Sequence, residues 1–399
     1  METETGPAPR RVLFTGAAVA PGFQGGEPVA AELLQREFER SGVEVLRDGA
    51  PRTLGGLATL ALTPFDVQPG RVSEYRRTIR EFRPDVVLAF VDYDCSATVA
   101  ARKEGVPIAV CVQIYWPTCP IGTHYIEGEG SCFTPGLVRC VRHVSRAPIS
   151  PNLRLPVPNL PAPLALLLYV KLLERPAALS QADVLIANST FTADVMRRAG
   201  YSRVRVIHNA VDTDLFRATP WAGPRKVVLY PVARSRQERK GYPHFVEMAR
   251  RVRREMSEVS FRILNDPGDD LCEGTPYLTH PELARELSSD YLAVVPSLWD
   301  DPFPFIPIEA MSAGRPVVAY RVGGLTDLIE DGVNGRLIPR GNVDELTKAV
   351  FALLRDEDTA RRMGAAARER VVALFDYRRM AREYLTLLST LAAGREPVS

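Results

Sequence analysis

Hydrophobic residues fall along this chain in short unbroken runs, separated by stretches in which they recur every three or four positions. Residues 12–15 are such a run and predict a strand. After a loop containing Gly and Pro, Ala30, Leu33, Leu34 and Phe38 mark the inner face of a helix over 29–41. The same alternation predicts strands at 43–46, 85–90, 108–114, 184–187 and 204–207, with helices at 72–82, 97–104 and 190–199. Runs that are apolar throughout suit a parallel sheet covered on both faces. The pattern then restarts, with strands at 226–230, 260–263, 291–295 and 316–320. Helices are predicted at 242–256, 280–287, 308–312, 325–329, 343–355 and 359–374, and a last one at 377–393.

This order predicts an α/β protein of two Rossmann-like domains, each built on a parallel sheet. The expected divisions are 1–210, 220–376 and a terminal helix within 377–399. Residues 116–163 break the rhythm: they hold many prolines and three cysteines and show no clean period. Such excursions from a core tend to carry specificity. Residues 164–173 read as a helix packed on the first domain, with peripheral membrane contact as the alternative.

Composition narrows the function classes. The 399 residues carry a net charge of +2, which calls for neither nucleic acid nor an anionic surface as partner. The longest apolar run, 163–170, is far short of the ~20 residues of a membrane span. Residues 1–11 are polar and lead straight into the first strand, so a secretory signal is not expected and a cytoplasmic location is. Six cysteines in a chain of this length do not suggest a disulfide framework.

The segment 296–337 carries the chemistry. A strand ends at Val295, the chain turns through Pro302, Phe303 and Pro304, and a helix opens near Pro307, where a missing N–H costs little. Such a junction offers backbone N–H groups and a positive dipole end to a phosphate or a sugar hydroxyl. Asp301 and Glu309 flank it with seven residues between them, placed to grip hydroxyls of one ligand.

This segment resembles the retaining glycosyltransferases of the GT-B fold, family 4. The matching pieces are Asp301, Pro302-Phe303-Pro304, Glu309-Ala310-Met311, Pro316-Val317-Val318, Gly323-Gly324, Asp331-Gly332 and Asn334-Gly335. Further blocks follow the family in order. Gly25-Gly26 resembles its glycine pair, 182–190 its strand end before a serine, and 206–216 its asparagine–valine–aspartate block. Ala233-Arg234 and Lys240-Gly241 resemble the cations that hold the donor diphosphate.

The resemblance implies two facing domains with a terminal helix returning to the first, and a donor that is a nucleotide diphosphate sugar, UDP- or GDP-linked. Arg234 and Lys240 would stabilise the leaving diphosphate, Glu309 would hold the ribose hydroxyls and Asp301 the sugar. Gly25, Gly26, Phe303, Pro304, Phe305 and Ile306 complete the expected donor site. Attack from the same face, without an enzyme nucleophile or a required cofactor or metal, is the implied chemistry. The acceptor is a small molecule, a lipid-linked sugar or a glycan. Departures from the family pattern are Asp301 for Glu, Pro304 for Gly, Ala210 for Gly, and Gln113 where a His is common.

Competing readings are a nucleotide-sugar epimerase or sugar phosphorylase of the same architecture, and a non-catalytic sugar-nucleotide-binding protein. Asp92-Tyr93-Asp94 and Asp212-Thr213-Asp214 look like metal-holding triplets, although such triplets recur by chance. Cys119, Cys132, Cys140 and His143 are spaced as a structural zinc set or, alternatively, are reduced buried thiols.

Overall fold

The computed structural model describes residues 8–16, 26–48, 66–90, 94–146, 162–219, 221, 226–230 and 238–395. The chain groups into two compact units. The first is Met1–Ile126, Cys132–His208 and Met380–Ser399; the second is Glu127–Ser131 and Asn209–Arg379.

In the first unit the strands are β1 (Arg11–Gly16), β2 (Glu44–Asp48), β3 (Val86–Phe90) and β4 (Ile108–Val112). The two-residue strand β5 (Tyr125–Ile126) follows, then β7 (Val184–Ala187) and β8 (Val204–Val206); the two-residue β6 (Gly130–Ser131) between them groups with the second unit. The main sheet is parallel in the order 2-1-3-4-7-8. β3, β4 and β7 are buried at every residue, which explains why their sequences are apolar without alternation. Edge strand β2 carries charge instead, and its Leu46 is exposed. Helix Thr190–Arg198 starts where it does because the Ser189 hydroxyl accepts the Thr192 N–H at 3.1 Å.

The second unit contains β9 (Val227–Tyr230), β10 (Ser260–Ile263), β11 (Cys272–Gly274), β12 (Leu292–Val295), β13 (Val317–Tyr320) and β14 (Gly335–Ile338). Its sheet is parallel in the order 11-10-9-12-13-14. The strand order reverses between β9 and β12, so the loops leaving these two strands diverge and open a crevice at their carboxyl ends. Segment 209–216 belongs to this unit for a local reason. The Val211 N–H donates to Phe375 O at 3.0 Å, and the Tyr377 N–H donates to Val211 O at 3.2 Å.

Several elements differ from the sequence expectation. The stretch 116–163 is more regular than expected: it holds the 3-10 turn Trp116–Thr118, the β5–β6 pair, helix Leu137–Arg146 and the start of helix Ala162–Leu179, while 147–161 lie outside the described residues. Prolines and a short amphipathic helix hid that period. β11 and β14 were not anticipated, since three or four residues flanked by charge give no run. The helix expected at 308–312 begins earlier, at Phe305, with Pro304 as its N-cap residue. Among the described residues no helix is long and apolar enough to cross a membrane.

Helix Ala162–Leu179 is fixed to the first unit by buried charge. Arg175 donates to Asp66 Oδ2 at 2.5 Å and to the carbonyls of Trp116 and Cys119 at 2.5 and 3.0 Å, and its guanidinium lies 4.5 Å from the Trp116 ring centre. Both charged side chains are fully buried. The Lys171 Nζ, also buried, stands 3.8 Å from Asp66 Oδ1, so Arg175→Ala leaves the carboxylate facing a more distant cation and should cost about 3 kcal/mol in denaturant unfolding. An Asp66→Asn/Lys171→Met/Arg175→Met triple variant, which removes all three charges, should lose clearly less. Equal losses in single and triple variants would show that packing, and not the charge cluster, fixes the helix.

Candidate active site

Asp301 and Glu309 lie at the switch point of the second sheet, in the loop and helix that follow β12. After β9 the chain passes through residues 231–237, which lie outside the described residues and include Arg234. It then makes the turn Glu238–Lys240 and enters helix Tyr242–Glu255. After β12 it runs through Pro296–Pro304 into helix Phe305–Ser312.

These two loops are held together by backbone. Gly241 has φ 75°, and a Cβ there would stand 1.7 Å from the Pro296 carbonyl oxygen, so only glycine admits the approach. The Arg239 carbonyl accepts the Leu298 and Trp299 N–H groups at 2.8 and 3.2 Å. The Tyr230 hydroxyl donates to Lys240 O at 3.1 Å. Lys240 therefore has little freedom: its Nζ donates to Asp301 Oδ2 at 2.6 Å and stands 4.8 Å from the Trp299 ring centre. Both partners are mostly buried, with side-chain exposures of 21% and 12%.

The Gly323-Gly324 turn after β13 closes on the same loop. Gly323 has φ 47°, and a Cβ there would come within 2.2 Å of Asp301 O. The Gly324 N–H donates to that oxygen at 2.8 Å. Asp300, which sequence reasoning passed over, accepts the Gly323 N–H at 3.3 Å and pairs with Arg340. The Asp-Asp pair before Pro302 was the available signal: the first carboxylate anchors the loop and the second meets the lysine.

Glu309 lies in the second turn of helix Phe305–Ser312 and is 3% exposed. Among the described residues its Oε2 has no hydrogen-bond partner, and its Oε1 is 3.9 Å from His280 Nε2. Burial pushes the carboxyl from its ordinary 4.5 to about 8. His280, also unanticipated, is set by a capping box in which Thr279 and Glu282 bond reciprocally at the start of helix His280–Ser289. A fully buried carboxyl with an open oxygen, one turn inside a helix start, is placed to meet hydroxyls.

The other expected donor residues divide. Phe303 is a core residue, 4% exposed, with its ring 5.8 Å from Phe375. Pro304, Phe305 and Ile306 are half-buried at the helix start, where first-turn N–H groups have no intrahelical partner. Gly26 begins helix Gly26–Arg40 in the first unit, and Gly25 lies outside the described residues. Gln113 lies just after β4, where its Oε1 and backbone carbonyl accept from the Asn188 amide at 3.2 and 3.0 Å. Asn188 follows β7 and was not singled out by sequence.

The metal-like triplets are otherwise engaged. Asp212 Oδ1 accepts the Asp214 and Leu215 N–H groups at 3.1 Å, and Asp214 pairs with Arg378. Asp94 accepts the Ser96 N–H at 2.8 Å, while Asp92 and Tyr93 lie outside the described residues. Cys119, Cys132, Cys140 and His143 do come together, around one small cavity in the first unit. Burial and then the neighbouring Cys119 and Cys132 thiols push the Cys140 thiol up, against the Gly136 backbone bond.

Comparison with known proteins fits this arrangement. Residues 34–215 match the family model "Glycosyltransferase Family 4", and residues 269–370 match "Glycosyl transferases group 1". Over 216 residues the chain is 29% identical to the MMP alpha-(1->4)-mannosyltransferase of Mycolicibacterium hassiacum, covering 50% of this chain and 52% of that protein. It is 36% identical over 127 residues to the D-inositol 3-phosphate glycosyltransferase of Kribbella flavida, covering 32% and 28%. The match thus spans about half the length of the first of these relatives and less of the second. Two solved structures share the fold. Sucrose-phosphate synthase of Thermosynechococcus elongatus superposes with a TM-score of 0.70 at 18% identity, covering 96% of this chain and 100% of that one. HepE of Anabaena, solved with UDP and glucose, gives 0.63 at 17% identity, covering 95% and 99%. The two family models between them take in more than two thirds of the residues, and both parallel sheets are those of the fold. The chain belongs to family 4 of the GT-B glycosyltransferases.

Proposed function

We propose that this protein is a retaining glycosyltransferase that takes its sugar from a nucleoside diphosphate donor bound at the carboxyl end of the second sheet. The observation that carries the reading is the Lys240–Asp301 pair at the switch point, with the buried, half-partnered Glu309 carboxyl one helix turn beyond. Relatives named as glycosyltransferases support the activity, and a UDP- and UDP-glucose-bound neighbour of the same fold supports the donor class.

Lys240 would turn from Asp301 to the donor diphosphate, assisted by Arg234 and by the first-turn N–H groups of Phe305 and Ile306. Asp301, released from the lysine, would accept a hydroxyl of the sugar. Glu309 would accept the ribose hydroxyls. The anomeric carbon–oxygen bond then breaks with its electron pair passing to the diphosphate. The acceptor oxygen bonds to the same face of that carbon, and its proton passes to the departing phosphate oxygen. Leaving-group charge is met by protein cations and amides, so transfer is expected to persist in a metal chelator.

Thermal stabilisation across UDP-, GDP- and ADP-sugars tests the donor directly. One donor class should raise the Tm of the wild-type chain, and Glu309→Ala should abolish the shift. No shift with any nucleotide sugar would sink the reading. Lys240→Ala should lower kcat/KM by about a hundredfold or more, in line with losing a charge aimed at the leaving group. Retention of anomeric configuration in the product, read by NMR, separates this mechanism from inversion.

The Glu309 shift gives a pH signature. Its folded-state value of about 8 exceeds the unfolded one, so the folded chain holds a proton that the unfolded chain has lost. The contribution to stability therefore falls as pH rises from the unfolded value to about 8, then levels. Wild type should lose stability against Glu309→Gln across that window. Hydroxyls donate best to the ionised carboxylate, so donor binding should release up to about one proton, and affinity should fall by up to tenfold per pH unit below that value. Calorimetry in buffers of different ionisation enthalpy measures this. Identical heats in all buffers, with flat affinity, would remove Glu309 from the ribose.

A further inference from the structure

Three thiols and an imidazole in the first unit take no part in the chemistry above. Cys119 lies at the end of the Trp116–Thr118 turn, Cys132 just after β6, and Cys140 and His143 on helix Leu137–Arg146. All four line one cavity of about 20 Å³, the space of roughly one water-sized sphere. Cys140 and His143 are three apart on one helix and so share a face. All six cysteines are free thiols, and three around one cavity cannot all be paired as disulfides.

A second histidine, His124, also lines the cavity, but both of its ring nitrogens are engaged. Nδ1 meets Cys132 O at 2.5 Å and Nε2 meets Thr118 Oγ1 at 2.7 Å. Its backbone N–H donates to Cys119 Sγ at 3.4 Å. His124 thus acts as a bracket for Cys119 and Cys132, while His143 lines the cavity from the same helix face as Cys140.

We propose that Cys119, Cys132, Cys140 and His143 form a structural zinc site. The donor set suits a closed tetrahedral site with no position left for catalysis. As placed, no group of three His, Cys, Asp or Glu among the described residues is already gathered to hold an ion. Binding would therefore draw these side chains closer together by rotation about their Cα–Cβ bonds. Each thiol that binds gives up its proton to solvent, so loading is favoured by rising pH. The ion would join the loop after β4 to helix Leu137–Arg146, adding to the small apolar cluster of Ile121, Val141, Val144, Ala165 and Leu168.

The test is elemental analysis of the full chain, expressed with zinc supplied and purified without a metal-affinity resin. About one zinc per chain is expected, retained through dialysis, as for a closed thiolate site. Cys140→Ser and His143→Ala should each lower it severalfold, while Cys272→Ser, in the second unit, should not. Should these variants fail to fold, cobalt(II) exchanged into the wild-type chain serves instead. Intense visible bands of tetrahedral cobalt with thiolate charge transfer are the expected result. Substoichiometric metal, zinc indifferent to Cys140 and His143, octahedral cobalt spectra, or a disulfide between any two of the three cysteines would each overturn the proposal.

Discussion

The close approach of the Glu238–Lys240 turn to the loop after β12 is the constraint on which the second unit's chemistry rests. Parallel strands 9 and 12 are neighbours whose exits diverge, and divergence alone would leave a wide, wet crevice. Gly241 lets the backbone of one exit lie directly against the Pro296 carbonyl, and the Arg239 carbonyl is bridged by two amides of the other. A cation and a carboxylate are thereby held in contact before any ligand arrives. The pair is internally neutral, so neither charge stands buried and uncompensated. An anionic ligand that draws off the lysine simultaneously frees the carboxylate for a hydroxyl. In the proposed reading, recognition of a diphosphate and of the sugar beyond it would be one event, coupled by a single broken ion pair.

Glu309 presents the opposite condition. Among the described residues no Lys or Arg pairs with it; His280 Nε2 stands 3.9 Å away, and the start of its own helix favours its charge. Desolvation outweighs that dipole and keeps the carboxyl protonated at neutral pH. The cost of burying such a group is tolerated at a site where the ligand supplies the missing partners, and the open Oε2 marks where they enter. Two carboxylates eight positions apart thus differ in charge state because one faces a lysine and the other faces apolar core.

Much of this was readable in the sequence. Strands such as Val86–Phe90 and Val317–Tyr320 are unbroken apolar runs, and no other local structure suits them as well. The Asp301 and Glu309 positions followed from a motif in its strand–loop–helix context. What escaped were features decided by distant neighbours. Phe303 belongs to the core because Phe375 is there to receive it, which no local pattern records. His280 meets Glu309 across two helices, and Asn188 meets Gln113 across two strand ends. β11 and β14 exist because an adjacent strand offers them hydrogen bonds, since their own residues carry too little signal.

The region between β4 and β7 shows the same limit from the other side. Its prolines and cysteines read as irregular, yet Arg175 donates to the carbonyls of both Trp116 and Cys119 from a helix more than fifty residues downstream. Those carbonyls belong to the turn that carries the first of the clustered thiols. A buried guanidinium bound to two carbonyls through Nη1 and to one carboxylate through Nε ties that turn to the helix. The thiol-lined cavity is therefore built against a rigid wall on the Cys119 side. Helix Leu137–Arg146, which carries Cys140 and His143, is placed by a small apolar cluster in which its Val141 and Val144 meet Ile121, Ala165 and Leu168, so the other side of the cavity rests on packing.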